Sequence, residues 1–143
     1  MNRKSILRVS LGAFALSLWI GMSACGTPSN DGLGVKLQFA TGLLAKITHV
    51  DLLVYKKQHG DCSKLTPDNY AKNKLAQKPI ILKDGNPKVL IGALPTGDGL
   101  TFYVLGLETT SGGSKNIIAH GCRPNITLEA GKITPVSISV KAI

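Results

Sequence analysis

Hydrophobic and polar residues alternate along most of the chain after residue 34. Val35, Leu37 and Phe39 are separated by single polar or small residues, the period-two pattern of a strand with one face in a core. Residues 50–55 are apolar except at Asp51, which predicts a central strand covered on both faces. The eight predicted strands are residues 35–39, 50–55, 80–83, 88–91, 100–109, 115–120, 125–129 and 136–141.

Turn residues separate these segments at short intervals. The separators at 84–87, 95–99 and 111–114 are rich in Gly, Pro, Asp, Asn and Ser, which favour tight turns. Short strands with turns about every 8 to 12 residues are typical of an antiparallel sandwich. We therefore predict an all-β fold, an immunoglobulin-like antiparallel β-sandwich of about seven to eight strands over residues 35–143. Residues 66–77, which begin with Thr66-Pro67, are the one segment whose pattern permits a short helix.

The N-terminal segment has the order of a secretory signal. Three basic residues precede an apolar stretch of 14 residues from Val9 to Met22, and the small residues Ser23 and Ala24 follow. The stretch is shorter than the roughly 20 residues that a transmembrane helix needs. We therefore predict that residues 1–24 are a signal peptide that is removed on export.

The residues at the end of this segment are Met22-Ser23-Ala24-Cys25. They resemble the lipobox of bacterial lipoproteins, although Met22 stands where that family most often has leucine. The resemblance implies cleavage before Cys25 and attachment of diacylglycerol to its thiol. Acyl chains such as palmitate on the new amino terminus would make the membrane anchor stable. The alternative is an ordinary signal peptide whose removal leaves Cys25 as a free thiol.

The residues after Cys25 indicate which membrane would hold the lipidated protein. Gram-negative lipoproteins retained at the inner membrane commonly have aspartate after the lipidated cysteine, so Gly26 implies the outer membrane of the bacterial envelope. Residues 25–34 are rich in turn and linker residues and lack apolar periodicity, which predicts a flexible tether before the domain at 35–143.

The second half of the chain carries a further resemblance. Leu94-Pro95-Thr96-Gly97, the apolar residues 102–107 and Ala119-His120-Gly121-Cys122 resemble the closing half of transthyretin-like or carboxypeptidase-regulatory-like sandwich modules, over roughly residues 92–143. Such modules recur in bacterial envelope lipoproteins and supply no catalytic residues. The resemblance implies the transthyretin-like variant of the sandwich.

The chain is basic, with 17 Lys and Arg against 8 Asp and Glu and a formal net charge of +9. Removal of the three basic residues before Val9 lowers this charge to +6, which favours anionic partners. Most lysines are scattered. Two groups come close to a cluster, Lys56 with Lys57 and Lys72 with Lys74 and Lys78, but neither is interleaved with aromatic residues as in a nucleic-acid platform. We expect no nucleic-acid partner and keep electrostatic binding of anionic polymers as an alternative function.

Cys62 and Cys122 remain if Cys25 is lipidated. An even pair in an exported domain usually forms a disulfide, and we predict one here. His59 and His120 lie two or three residues before these cysteines, so a bridge would bring the histidines close. The alternative is a zinc site of His59, His120, Cys62 and Cys122, although an oxidising envelope favours the disulfide.

No other pattern in the sequence predicts catalysis. The chain lacks a Gly-x-Ser-x-Gly elbow, which nucleophilic serine hydrolases of one large class use, and His49 lies within a strand pattern, as a packed or edge histidine does. We therefore predict no catalytic residues and no cofactor. The expected function is that of a lipid-anchored, noncatalytic module that binds or scaffolds an envelope protein or a surface polymer. The alternative is a small metal-dependent enzyme at the zinc site.

Overall fold

A computed structural model describes residues 32–82 and 88–143. The predicted signal peptide, Cys25 and most of the predicted tether lie outside these residues. The described part of the chain is all-β, with seven strands and no helix, so the all-β prediction is confirmed. The strands are β1 (Gly32–Phe39), β2 (His49–Tyr55), β3 (Lys74–Ile80), β4 (Lys88–Gly92), β5 (Gly97–Thr109), β6 (Lys115–Leu128) and β7 (Ile133–Ala142).

The seven strands form one curled, mixed sheet in the order β3-β2-β5-β6-β7-β1-β4. Its two parts, β3-β2-β5-β6 and β7-β1-β4, are joined where β6 pairs with β7 through Ala119 with Ala142 and His120 with Lys141. β1 runs parallel to β7, so the prediction of a purely antiparallel sheet is wrong at this pair. Alternation shows which face of a strand is buried, but it does not encode the direction of the neighbouring strand.

One apolar core lies inside the curl. Val35 and Leu37 of β1 belong to the same buried cluster as Leu52 of β2 and Val104 of β5, so side chains from both parts of the sheet pack together. The predicted two-sided burial of β2 is confirmed. The other buried residues of this inner core are Leu33, Leu43, Val50, Val54, Ile80, Ile91, Leu100, Phe102, Ala119, Ile126, Leu128, Ile138 and Val140.

The predicted helix at 66–77 is wrong. The chain there forms consecutive turns, in which the amides of Asn69 and Tyr70 both donate to the carbonyl of Thr66, and β3 then begins at Lys74. The Asn69 side chain accepts from the Thr66 amide and donates to the Lys64 carbonyl, so it competes with helical pairing. Asn73, at a φ of 57°, reverses the chain before a helix can continue.

Two other strand predictions need correction. The segment predicted at 80–83 is replaced by β3, which ends at Ile80 and whose mostly exposed residues give little period-two signal. The segments predicted at 115–120 and 125–129 are parts of the single strand β6, whose pairing with β5 contains register shifts. Such irregularities interrupt alternation without ending the strand.

Candidate binding site

The segment between β2 and β3, residues 56–73, leaves the sheet and returns across its outer face. Cys62 of this segment forms a disulfide with Cys122 of β6, with their Cα atoms 5.8 Å apart, within the usual range for such a bond. The predicted disulfide is confirmed. We call residues 56–73 the pinned loop.

The pinned loop covers a second apolar cluster on the side of the sheet opposite the inner core. Leu65 of the loop packs with Leu53, Tyr55, Tyr103 and Leu105, and all five side chains are buried. These sheet residues come from β2 and β5, whose other faces contribute to the inner core. The loop therefore makes the centre of the sheet a two-sided apolar layer.

Gly60 of the pinned loop lies tightly against the sheet. The buried hydroxyl of Thr101 donates to the Gly60 carbonyl at 2.6 Å. A Cβ atom on Gly60 would lie 2.4 Å from Thr101 Cβ, a distance that real Cβ atoms do not tolerate. Only glycine therefore fits here without a shift of the loop.

Two tyrosines under the loop are held by hydrogen bonds. The Tyr55 hydroxyl donates to the Tyr70 carbonyl, and the Tyr103 hydroxyl lies 2.9 Å from His120 Nδ1. Burial raises the pKa of Tyr55 to about 12, with the nearby Tyr70 phenol adding to the effect. Burial also raises the pKa of Tyr103 to about 12, with smaller contributions from Tyr55 and Asp68. Both phenols therefore stay protonated at neutral pH and serve as structural groups.

A local turn positions Cys62 for its partner. Asp61 Oδ1 accepts from the Ser63 hydroxyl at 2.7 Å and from the Ser63 amide at 3.0 Å. These hydrogen bonds lower the pKa of Asp61 below its ordinary value, because they stabilise the carboxylate. Asp61 thus stabilises the turn that carries the cysteine.

The histidines do not share one environment. His59 is exposed, and its Nε2 lies 3.2 Å from the Gln58 amide nitrogen. His120 is half-buried and packs edge-on against Tyr103, with ring centroids 5.7 Å apart. His49 begins β2, where its side chain is exposed and its Nδ1 lies 3.0 Å from the Thr48 hydroxyl.

The predicted zinc alternative requires two thiolates. Cys62 and Cys122 are instead joined in the disulfide. Within residues 32–82 and 88–143, no group of three or more His, Cys, Asp or Glu side chains is arranged to hold a metal ion. The zinc alternative therefore requires a reduced state that differs from this structure.

A polar cleft of about 770 Å³ opens between β6 and β7. Pro124 and Pro135 lack amide donors, so neither can contribute a donor to a ladder across the gap, and Asn125 has a φ of 57°. At the hairpin end, the Thr134 hydroxyl donates to the Thr127 carbonyl. We call this feature the β6–β7 cleft; it is lined by residues 123–127 and 134–137.

The β6–β7 cleft presents groups suited to polar recognition. Arg123, Asn125 and Thr127 from β6 and Thr134 and Ser137 from β7 contribute a guanidinium, an amide and hydroxyls. These groups can donate to and accept from an extended peptide or a sugar polymer. The sequence reasoning missed this site, although Pro124 and Pro135, each directly before a predicted strand, were a signal that a ladder donor is missing there.

No lysine of the two groups lines this cleft. Lys56 and Lys57 are exposed in the pinned loop, and the Lys57 side chain lies along Gly99. Lys74 Nζ donates to Gln77 Oε1 at 2.6 Å, on the edge strand β3. An exposed lysine on an edge strand opposes pairing with other chains, which gives Lys74 a structural role.

Among the described residues, no helix is long and apolar enough to span a membrane.

Comparisons with known proteins add little to this picture. The chain matches no known family model and no curated protein at a significant level. A solved structure of a DUF4876 family protein from Bacteroides thetaiotaomicron is similar, with 17% sequence identity and a TM-score of 0.43. That match covers 79% of this chain and 23% of the other chain, so this chain spans about a quarter of the length of its structural neighbour.

Proposed function

We propose that this protein is a noncatalytic binding module that is anchored to a bacterial envelope membrane, most simply the outer membrane, by lipid on Cys25. The observation that carries the proposal is the disulfide between Cys62 and Cys122. The chain has three cysteines, so the bridge leaves Cys25 as the remaining one. A structural disulfide is typical of exported proteins, and Cys25 follows the small residues of the lipobox-like sequence.

The binding role is supported by the β6–β7 cleft. Its polar lining and its volume of about 770 Å³ suit an extended peptide or a polymer, whose backbone or hydroxyl groups can bond to strand edges and side chains. Arg123 adds a cation that favours an anionic group on the partner. The proposed partner is therefore an envelope protein or a surface polymer that carries anionic groups.

We further propose that the curled sheet is a variant of the immunoglobulin-like, transthyretin-like sandwich. Its two parts, β3-β2-β5-β6 and β7-β1-β4, are joined by two residue pairs and share one core. Two sheets that pack inner face to inner face over a common core define the sandwich class. An experimental structure with the inter-sheet angle measured tests this assignment, since aligned sandwiches cross at roughly 30°.

The anchor is tested by the intact mass of the protein extracted from membranes. We expect the mass of residues 25–143 plus acyl chains, and alkylation of cysteine only after reduction. Cys25→Ser is the matched variant and should remain unprocessed or unlipidated. A mature protein without acyl mass would contradict the anchor.

The cleft is tested by photo-crosslinking in cells. A photoreactive amino acid replaces Thr127 in the cleft, and the control replaces Ser111, which is exposed in the turn between β5 and β6. We expect a discrete adduct from position 127 that is weakened by Arg123→Gln. Digestion by protease or by glycosidase then tells a protein partner from a polymer. Equal labelling from both positions would argue against the cleft as a binding site.

A further inference from the structure

The outer face of β4, β1 and β7 exposes an apolar surface near the start of β1. Leu90 is 63% exposed and Ile133 is 52% exposed. Gly34 pairs with Leu90 on one side and with Pro135 on the other. Because Gly34 has no side chain, a shallow depression of about 360 Å³ forms between these neighbours. We call Gly34, Leu90, Ile133 and Pro135 the apolar face.

Ile133 contributes to the same surface. Its Cγ2 would lie 3.5 Å from a Cβ atom on Gly34, so the side chain extends over the glycine toward Leu90. Exposed aliphatic side chains that adjoin one another mark a surface that contacts another molecule or a lipid phase.

Positive charge borders the apolar face. Lys36 and Lys88 are direct cross-strand partners, one pleat repeat beyond Gly34 and Leu90, so their side chains emerge on the same side of the sheet. The strands β1, β4 and β7 contain no Asp or Glu. An anionic surface would therefore complement this side of the domain.

The apolar face also lies where the tether reaches the domain. Gly32, the first residue of β1, pairs with Gly92 and with Ile133. Seven residue steps separate Cys25 from Gly32, and they span at most roughly 25 Å when fully extended. A lipid on Cys25 would hold the face close to the bilayer, where even weak contacts are populated because the effective concentration is high.

We propose that the outer face of β4, β1 and β7 lies against the lipid bilayer that holds the Cys25 anchor. Leu90 and Ile133 enter the headgroup region, and Lys36 and Lys88 face anionic headgroups. The inference rests on the proposed lipidation of Cys25. In this orientation the pinned loop faces away from the bilayer. The β6–β7 cleft opens at the rim of the apolar face, since Pro135 lines both the cleft and the depression on that face.

The position of single tryptophans relative to lipid tests this orientation. The chain has one tryptophan, Trp19, which cleavage before Cys25 would remove. Leu90→Trp therefore places one tryptophan on the apolar face, and Gln58→Trp is the control, because Gln58 is exposed in the pinned loop, which this orientation turns away from the bilayer. Each lipidated protein is reconstituted into vesicles with an anionic lipid fraction, with and without acyl chains that carry bromine.

We expect brominated lipid to quench Leu90→Trp at least about twofold more strongly than Gln58→Trp, because an interfacial side chain reaches the acyl boundary. Lys36→Glu with Lys88→Glu in the Leu90→Trp protein should remove this difference, since each lysine near an anionic surface contributes about 1 kcal/mol, a roughly fivefold factor. Unchanged unfolding midpoints of the tryptophan proteins show that they fold.

The outcomes separate the inference from the proposed function. Intact mass is measured first, and a protein without acyl mass overturns both the anchor and the orientation. Acyl mass with equal quenching of the two tryptophans overturns the orientation alone. A concentration-dependent shift of Leu90→Trp emission without vesicles assigns the face to a second copy of the chain and overturns the membrane contact.

Discussion

Gly121 of β6 lies directly against the backbone of Ser139 of β7. A Cβ atom on Gly121 would be 2.4 Å from the Ser139 carbonyl oxygen and 3.1 Å from Ile138 Cγ2. Backbone atoms cannot move aside as a flexible side chain can. The two parts of the sheet therefore meet closely at this point because residue 121 has no side chain.

We expect Gly121→Ala to destabilise the domain by about 1–3 kcal/mol, the usual cost of forcing extra volume into a packed site. The free energy of unfolding from denaturant titration measures this. Gly112→Ala is the control, because no atom lies within 4 Å of a Cβ at that exposed glycine. Equal stability of the two variants would show that β6 and β7 do not meet so closely in solution.

The disulfide should be a large contributor to stability. Cys62 and Cys122 are 60 residues apart, and the chain-entropy description gives about 4 kcal/mol for a loop of this length, with about 2–4 kcal/mol typical. Replacement of both cysteines by alanine should lower the free energy of unfolding by that amount.

A reductant provides the control for this prediction. It should lower the unfolding midpoint of the native protein and leave that of the Cys62→Ala, Cys122→Ala protein unchanged. A native protein whose midpoint is insensitive to full reduction would contradict a stabilising role for the bond.

The sequence predicted the strands whose apolar residues follow a clear burial pattern. In β7 the inward side chains Ile138 and Val140 alternate with exposed neighbours, and in β2 near-continuous burial follows from apolar residues at almost every position. Both were predictable because side-chain period reports directly on burial. The cysteine pair was predictable for a separate reason, since an even number of cysteines in an exported domain usually pairs.

Features that depend on long-range pairing were not predictable in this way. The parallel neighbours β1 and β7 are the first and last strands of the described residues, and nothing local in either strand specifies that pairing. The pattern at 80–83 misplaced β3 because an exposed edge strand with Lys74, Gln77 and Pro79 has no consistent apolar side. The β6–β7 cleft arises from backbone geometry at Pro124 and Asn125, which an alternation pattern does not describe.

The buried hydrogen bond between Thr101 and the pinned loop is open to a direct test. Thr101→Val keeps the shape of the side chain but removes the donor, so the Gly60 carbonyl loses its partner at a buried position. We expect a loss of about 1–3 kcal/mol, the cost of leaving a buried polar group unsatisfied. Thermal and denaturant unfolding measure it.

Thr96→Val is the matched control, because Thr96 is exposed in the turn before β5 and surface substitutions usually change stability by about 0.5 kcal/mol or less. Equal effects of the two substitutions would indicate that water replaces the Thr101 bond and that the pinned loop is not held there.

Alkaline pH should lower the free energy of unfolding of the domain through Tyr55 and Tyr103. Their pKa values are raised to about 12, whereas the phenols of the unfolded chain titrate near 10. Because the folded-state pKa lies above the unfolded one, the stability from the neutral phenols is fully present below about pH 10. It falls between about pH 10 and 12, where the unfolded chain releases its protons and the folded chain still holds them.

Phenolate absorbance during a rapid pH titration measures this difference. We expect two tyrosines of the folded protein to ionise near pH 12, and all tyrosines of the denaturant-unfolded protein to ionise near pH 10. Tyr103→Phe should remove one late-ionising group and leave the other. Ionisation of both groups near pH 10 with the fold intact would mean that water reaches the phenols. The pinned loop would then not exclude solvent from the outer face of the sheet.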